Sequence, residues 1–239
     1  MSATRVRAIV LKELREYRRN GSIVATMAIL PLIFLIEPLI QIFSLPAASA
    51  GTLLHKAPLL YMLGIPTLLP AALAAYSVVS ERQQGTLEPV LTTPIRREEF
   101  LLGKALAVLA PGLALSYLVF GAAIASIALF AQSAVASAVL RAPELVAQLV
   151  FTPLLAGLSI WVGVAISARS NDTRVAQQLS VLGSLPAVVV TALIAFGVIR
   201  PTLGLALGLG AGLLFVDVQG WRFVSPMFDR ERLITGTKS

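Results

Sequence analysis

Apolar and polar positions in this chain fall into long blocks rather than alternating residue by residue. Six apolar runs can be marked, roughly 22–43, 57–79, 105–131, 145–168, 179–199 and 201–219. Each approaches the ~20 residues that an α-helix needs to cross ~30 Å of hydrocarbon. Lipid offers the backbone no hydrogen-bond partner, so runs of this length predict spanning helices. The third run contains Pro111-Gly112 and is expected to tilt, kink or include a re-entrant piece. Only Arg200-Pro201 joins the last two runs, and charge is what separates them into two helices below.

The polar blocks have patterns of their own. In "TRVRAIVLKELREYRRN", Val6, Val10, Leu14 and Tyr17 fall on one helical face, with Lys12, Arg15, Glu16 and Arg19 away from it. Residues 1–20 are therefore expected to form a basic amphipathic helix lying in the membrane interface, held by anionic lipid. The apolar run after it, Ser22 to Phe43, exceeds the ~7–15 residues of a secretory h-region. Although "AASAG" at 47–51 resembles a cleavage site, the run is read as an uncleaved first span.

Composition agrees with the pattern. The chain has 239 residues, 57% apolar and 13% charged, with a mean hydropathy of +0.86. Soluble domains are about 45–50% apolar and about 25% charged, so this chain lacks the polar residues to cover a water-facing surface. Its net charge of +7 does not indicate nucleic-acid binding. The basic residues sit in short clusters between apolar runs, with no aromatic-interleaved basic face.

Catalytic chemistry is poorly supplied. Without cysteine there is no disulfide framework, thiolate metal site or thiol nucleophile. The single histidine, His55, lies in an outer loop, so neither a Ser-His-acid set nor a metal cluster can be drawn. No phosphate-binding loop is present; "LLGKA" lacks both the upstream glycine and the hydroxyl residue. No catalytic residue, metal or cofactor is therefore expected in this chain, and it is not expected to be an enzyme.

Lysine and arginine set the expected orientation. With six spans, sixteen of them fall on one side: Arg5, Arg7, Lys12, Arg15, Arg18, Arg19, Arg82, Arg96, Arg97, Lys104, Arg169, Arg174, Arg222, Arg230, Arg232 and Lys238. Three, Lys56, Arg141 and Arg200, fall on the other. If the last two runs formed a non-crossing hairpin, the split would weaken to twelve against seven. Six spans with both termini and the tail 220–239 in the cytoplasm is the better arrangement, with three short outer loops. One domain, 1–239, is the simplest organisation.

One block stands apart. "SERQQGTLEPVLTTPIRREEFLLGK", residues 80–104, carries eight charges: Glu81, Arg82, Glu88, Arg96, Arg97, Glu98, Glu99 and Lys104. The orientation makes it the cytoplasmic connection between spans two and three. Gly85 is expected to act as a hinge or helix boundary, and "TLEPVL" is helix-compatible. Thr93 and Pro94 suit the cap and first turn of a second helix, "IRREEFLLGK", with Phe100, Leu101 and Leu102 turned toward the membrane. On physics alone, a solvated loop that merely satisfies the positive-inside rule is an equal reading.

The same residues carry a resemblance. An acidic-basic pair, GTLE, a leucine-rich turn, TP, a basic-acidic run and LGK follow in the order typical of ABC-2-type transporter permeases. The tail "MFDRERL" is similar to an ending common in that family. The resemblance implies an all-α membrane protein with six transmembrane helices, an N-terminal interfacial amphipathic helix and a cytoplasmic coupling helix between spans two and three. It further implies that the coupling segment docks into a separate cytoplasmic ABC ATPase, two copies per transporter, which carries the ATP and Mg. Glu81, Gly85, Thr86, Leu87 and Glu88 match the first half of the motif, and Thr93, Pro94, Gly103 and Lys104 the second. A second permease subunit, identical or homologous, membrane lipid and the cell (inner) membrane complete the expectation. Export of an amphiphilic or hydrophobic compound is the implied direction.

Three intramembrane features call for a reading beside this one. Glu37, in the outer half of span one between Pro31 and Pro38, either faces a substrate pathway or is hydrated at the outer interface. Asp217 is expected at the inner interface beside Gln219 and Trp221. Gly204, Gly208 and Gly212, spaced by four, are expected to pack within the subunit. Two rival functions are a non-transporting anchor or sensor, and a proton-coupled secondary transporter using Glu37. A lone acid counts against the latter, because proton relays generally use several ionisable groups.

Overall fold

The computed structural model describes residues 2–46, 51, 53, 56–83 and 96–225. Among them the chain forms α1 (Ala3–Arg19), α2 (Gly21–Ser44), a 3-10 turn (Pro58–Leu63), α3 (Gly64–Gln83) and α4 (Arg97–Phe130). There follow α5 (Ser133–Val139), α6 (Ala142–Arg169), α7 (Thr173–Ala195) and α8 (Leu203–Val224), with no strand among the described residues. Six of these elements are long and apolar enough to cross a membrane: α2, α3 with its preceding turn, α4, α6, α7 and α8. The chain is an all-α, multi-pass membrane protein.

Short polar side chains define the helix starts. Asn20 alone separates α1 from α2, and its Oδ1 accepts from the N–H groups of Ser22 (3.0 Å) and Ile23 (3.3 Å). Asp172 Oδ1 does the same for Arg174 (2.7 Å) and Val175 (3.2 Å) at the start of α7. Each satisfies donors that the first helical turn leaves unpaired. The two last apolar runs are separate helices. The chain turns at Gly197, whose φ of 76° suits a residue without Cβ, and Thr202 Oγ1 caps α8 by accepting from Leu205 N–H at 3.2 Å. α4 continues through Pro111 as one helix of 34 residues.

α3 is the central helix. Ile65, Leu69, Ala71, Leu73, Ala74, Ala75 and Val79 are all buried, and α3 packs against α4, α6 and α7. Its neighbour α6 comes close because Gly163 has no side chain. A Cβ there would lie 2.7 Å from Ala74 Cβ and 2.8 Å from the Ala71 carbonyl oxygen. Without a strong hydrophobic drive between helices in lipid, such small-residue contacts let dispersion and hydrogen bonds act. One such hydrogen-bond pair is made by Ser167 of α6, whose Oγ donates to the Ala75 carbonyl (2.7 Å) and accepts from Val79 N–H (3.2 Å).

Several expectations change. A Cβ on Gly204, Gly208 or Gly212 would meet nothing within 4 Å, so this stripe of α8 does not pack within the subunit as expected. α8 turns its other face inward, toward α6. Asp217 packs against a neighbouring helix: its carboxylate lies over Gly157, about halfway along α6, where a Cβ would come within 2.8 Å of both oxygens. The absence of a side chain at Gly157 makes that room. On α1 the buried residues are Val6, Ile9, Glu13 and Tyr17, with Val10 and Leu14 half-buried. The inward face is thus rotated from the purely apolar one, with an acid at its centre.

Candidate functional site

At the α1 end of the bundle, three elements meet around a single ammonium group. α3 ends there, α4 begins there, and α1 lies across both. Lys104 of α4 is 1% exposed, and its ammonium group has two hydrogen-bond acceptors and a second carboxylate at ion-pair distance. Nζ lies 3.0 Å from Glu13 Oε1 of α1, 3.3 Å from Glu81 Oε2 of α3, and 2.6 Å from the Ser77 carbonyl oxygen of α3. The Phe100 ring stands 5.0 Å away on a cation–π contact. Both carboxylates are also buried, Glu13 at 1% and Glu81 at 2%.

Lys12 closes the cluster from the solvent side. Its Nζ donates to Glu81 Oε1 at 2.5 Å and lies 3.4 Å from Glu16 Oε1 and 4.0 Å from Glu13 Oε1. Two ammonium groups therefore face two buried carboxylates, so the charges balance locally. Balance matters because an unpaired buried charge costs several kcal/mol, whereas a fully hydrogen-bonded pair offsets much of its desolvation. Burial pushes the Glu13 carboxyl above its ordinary 4.5, while neighbouring Lys104 pulls it back. Desolvation lowers the Lys12 ammonium, but the Glu81 bond together with the charges of Glu81, Glu13 and Glu16 outweighs it and holds the group above its ordinary 10.5. Burial, then the charge of Glu13, keeps the Tyr17 phenol well above its ordinary range, so it stays neutral beneath the cluster.

A second contact seats the start of α1 on the start of α4. Glu99, 2% exposed at its side chain, accepts from Ser2 N–H (2.6 Å), from Arg96 N–H (3.2 Å) and from Arg5 (3.4 Å). One carboxylate thus serves the N-terminal ends of two helices, where the macrodipoles also favour negative charge. The helix expected to restart after Thr93 begins instead at Arg97, with Arg96 in the cap position, because Glu99 reaches back to it. Phe100 and Leu101 are buried against α1 rather than turned to lipid.

Gly103 is the third element of the seat. A Cβ at this position would come 2.7 Å from Ile9 Cγ2 and 2.8 Å from Ile9 Cβ. The residue type is set by the close approach of α1 to α4. "LGK" is therefore spatially explicable: glycine lets α1 in, and the lysine beside it binds α1's acid.

Of the motif residues expected to couple, the structure brings together Glu81, Gly103 and Lys104. Gly85, Thr86, Leu87, Glu88, Thr93 and Pro94 lie outside the described residues, as do His55 and the tail after Ser225. Glu81 and Lys104 are buried, so their side chains form the root of the polar segment rather than a surface for a partner. Sequence reasoning missed Glu13, Lys12 and Glu99. The signal for Glu13 was its place among Ile9, Val10 and Tyr17, since an acid on an apolar stripe calls for a buried cation.

Glu37 stands far along α2 from this cluster, half-buried, and accepts from the Gln41 amide one turn on. At that opposite end, Arg141 donates to Glu144 Oε1 at 2.5 Å and to the Lys56 carbonyl at 3.2 Å. These bonds tie the start of α6 to the segment before the 3-10 turn. Among the described residues no group of His, Cys, Asp and Glu is arranged to hold a metal.

A family model described as ABC-2 family transporter protein matches residues 7–222, nearly the whole chain. No curated protein matches it.

Proposed function

The chain belongs to the ABC-2 transporter family, and on that footing we propose how this permease subunit receives work from its ATPase. As a permease it is a membrane transport component and not itself catalytic. Residues 84–95 are the part that an ABC ATPase grips, and the Lys104 cluster is the knot through which their movement reaches the spans. The observation that carries this reading is the placement of Glu81 and Lys104. They are the two roots of the polar segment, they stand 3.3 Å apart, and both are bonded to α1.

The mechanics follow from the geometry. A segment with loose roots would absorb a partner's movement in its own backbone torsions. With both roots pinned to each other and to α1, a push on 84–95 becomes a joint displacement of α1, the end of α3 and the start of α4. Within the segment, Gly85, Thr86, Leu87, Glu88, Thr93 and Pro94 are the residues on which coupling to the ATPase is proposed to depend. Two ATPase chains, carrying ATP and Mg, and a second permease subunit, identical or homologous, complete the transporter. On this reading the α1 end is the cytoplasmic one, with both termini on the cytoplasmic side of the cell (inner) membrane and α1 at its surface.

Export of an amphiphilic or hydrophobic compound is the supported direction and cargo class. The outer connections are short, with no room for a domain that receives cargo from a binding protein, and the spans are plain Leu, Ala, Val and Gly. Glu37 is the candidate polar contact on the cargo path.

The test uses the cysteine-free background. Glu88→Cys, labelled with a short photo-crosslinker, should join the permease to its ATPase, with a yield that changes on ATP binding. Crosslinking without ATP-dependent transport into vesicles would favour an anchor or sensor. Transport that needs a proton gradient and Glu37, but no ATPase, would favour the secondary carrier.

A further inference from the structure

We propose that the groove where α1 turns into α2 is a binding site for one anionic phospholipid of the leaflet that α1 lies on. The wall of the groove is apolar, made by Val24 and Met27 of α2 and by Pro111 and Leu115 of α4, and it encloses about 680 Å³. Its rim carries Arg15 and Arg18 of α1, both exposed. Two other cations of α1 are already matched: Arg5 faces Glu99, and Lys12 faces Glu81. Among the described residues neither Arg15 nor Arg18 has a carboxylate within ion-pair distance.

Residues three apart lie on one side of a helix, so the two guanidinium groups can converge on one phosphate. An anion at the rim with hydrocarbon directly beneath is the demand of a phospholipid. A free phosphate leaves the apolar wall uncovered, and a zwitterionic lipid leaves net positive charge on the rim. A groove on the other side of α1 is similarly apolar but carries Arg7 alone.

Position gives the site its consequence. Tyr17 lines the same groove and is buried against Glu13 of the cluster. A lipid seated there braces α1 in the orientation that keeps Glu13 on Lys104. The inference rests on α1 lying at the membrane surface and not on the ATPase, so it can fail while the coupling reading stands.

The experiment is native mass spectrometry of the detergent-purified full chain, titrated with dioleoylphosphatidylglycerol and separately with dioleoylphosphatidylcholine. The expected result is preferential retention of one phosphatidylglycerol. The double variant Arg15→Gln/Arg18→Gln should weaken it about thirtyfold, the loss expected for two basic residues at an anionic lipid surface. Met27→Trp, which fills the groove with both arginines intact, should expel the lipid too, and Arg7→Gln should retain it. Equal retention of both lipids would overturn the proposal, as would wild-type retention by the double variant or equal loss in Arg7→Gln. Displacement of phosphatidylglycerol by inorganic phosphate would also overturn it, by showing an anion site without a lipid.

Discussion

Lys104 Nζ stands 3.0 Å from Glu13 Oε1, across a sequence separation of 91 residues and with both side chains 1% exposed. The pair bolts the N-terminal helix to the start of the third span. Removing either partner strands the other in a dry site, and cutting a buried pair in this way costs about 3–5 kcal/mol. Lys104→Met and Glu13→Leu should each destabilise the purified chain strongly. The double variant should cost at least about 1 kcal/mol less than the sum of the singles, a coupling readable in a double-mutant cycle of denaturant unfolding in micelles. Simple additivity would mean that the two groups do not act on each other.

The pH dependence of that seat follows from the raised carboxyl of Glu13. The folded chain holds the Glu13 proton more tightly than the unfolded chain does. The stability linked to it is therefore fully present below the ordinary 4.5 and is lost as pH rises through the higher folded value. Relative to Glu13→Gln, the wild type should lose melting temperature as pH rises through the mildly acidic range. Parallel melting profiles for the two proteins would contradict the assignment.

Gly103 should tolerate no side chain while Ile9 is present. The clash at 2.7 Å falls on the branched Cγ2 and Cβ of Ile9, which are close to the backbone and cannot swing away. Gly103→Val should cost about 1–3 kcal/mol and release α1, seen as faster trypsin cleavage at Arg7, Lys12 and Arg15. Adding Ile9→Ala should restore protection. Unchanged cleavage in Gly103→Val would show that α1 does not sit where the contact places it.

Ser167→Ala should be mild despite complete burial. The hydroxyl contacts the Ala75 carbonyl and Val79 N–H, which are four residues apart on the continuous helix α3, the spacing of an intrahelical bond, so each has a backbone partner without it. The expected cost is at most about 1 kcal/mol in denaturant unfolding, well below that of Lys104→Met. A loss of several kcal/mol would mean that the backbone of α3 does not satisfy these two groups by itself.

Much of the fold was legible because lipid simplifies the problem. Length and apolarity alone mark helices such as α2 and α6, whereas the caps Asn20 and Asp172 emerge only in the structure. The motif pointed to Glu81, Gly103 and Lys104 as a group without saying why they belong together. That reason is tertiary: Glu13 and Lys12 come from a helix some seventy to ninety residues away, and only the folded chain puts them beside the motif. The packing of Asp217 was not legible because hydropathy counts residues along one helix, while the room for its carboxylate comes from Gly157 on another. The glycine stripe of α8 failed for the same reason, since spacing shows that a face is smooth but not which way it points.

The most direct test of the account is ATP hydrolysis and vesicle transport by the permease co-purified with its ABC ATPase, comparing wild type, Lys104→Met, and Glu88→Ala with Gly85→Pro. The account predicts no hydrolysis by the permease alone and transport-coupled hydrolysis by the wild-type complex. The Glu88/Gly85 variant should lose the ATPase itself. Lys104→Met should retain the ATPase and hydrolyse ATP but fail to transport, because the grip remains and the knot does not. A folded Lys104→Met complex that transports at the wild-type rate per ATP would contradict the central claim.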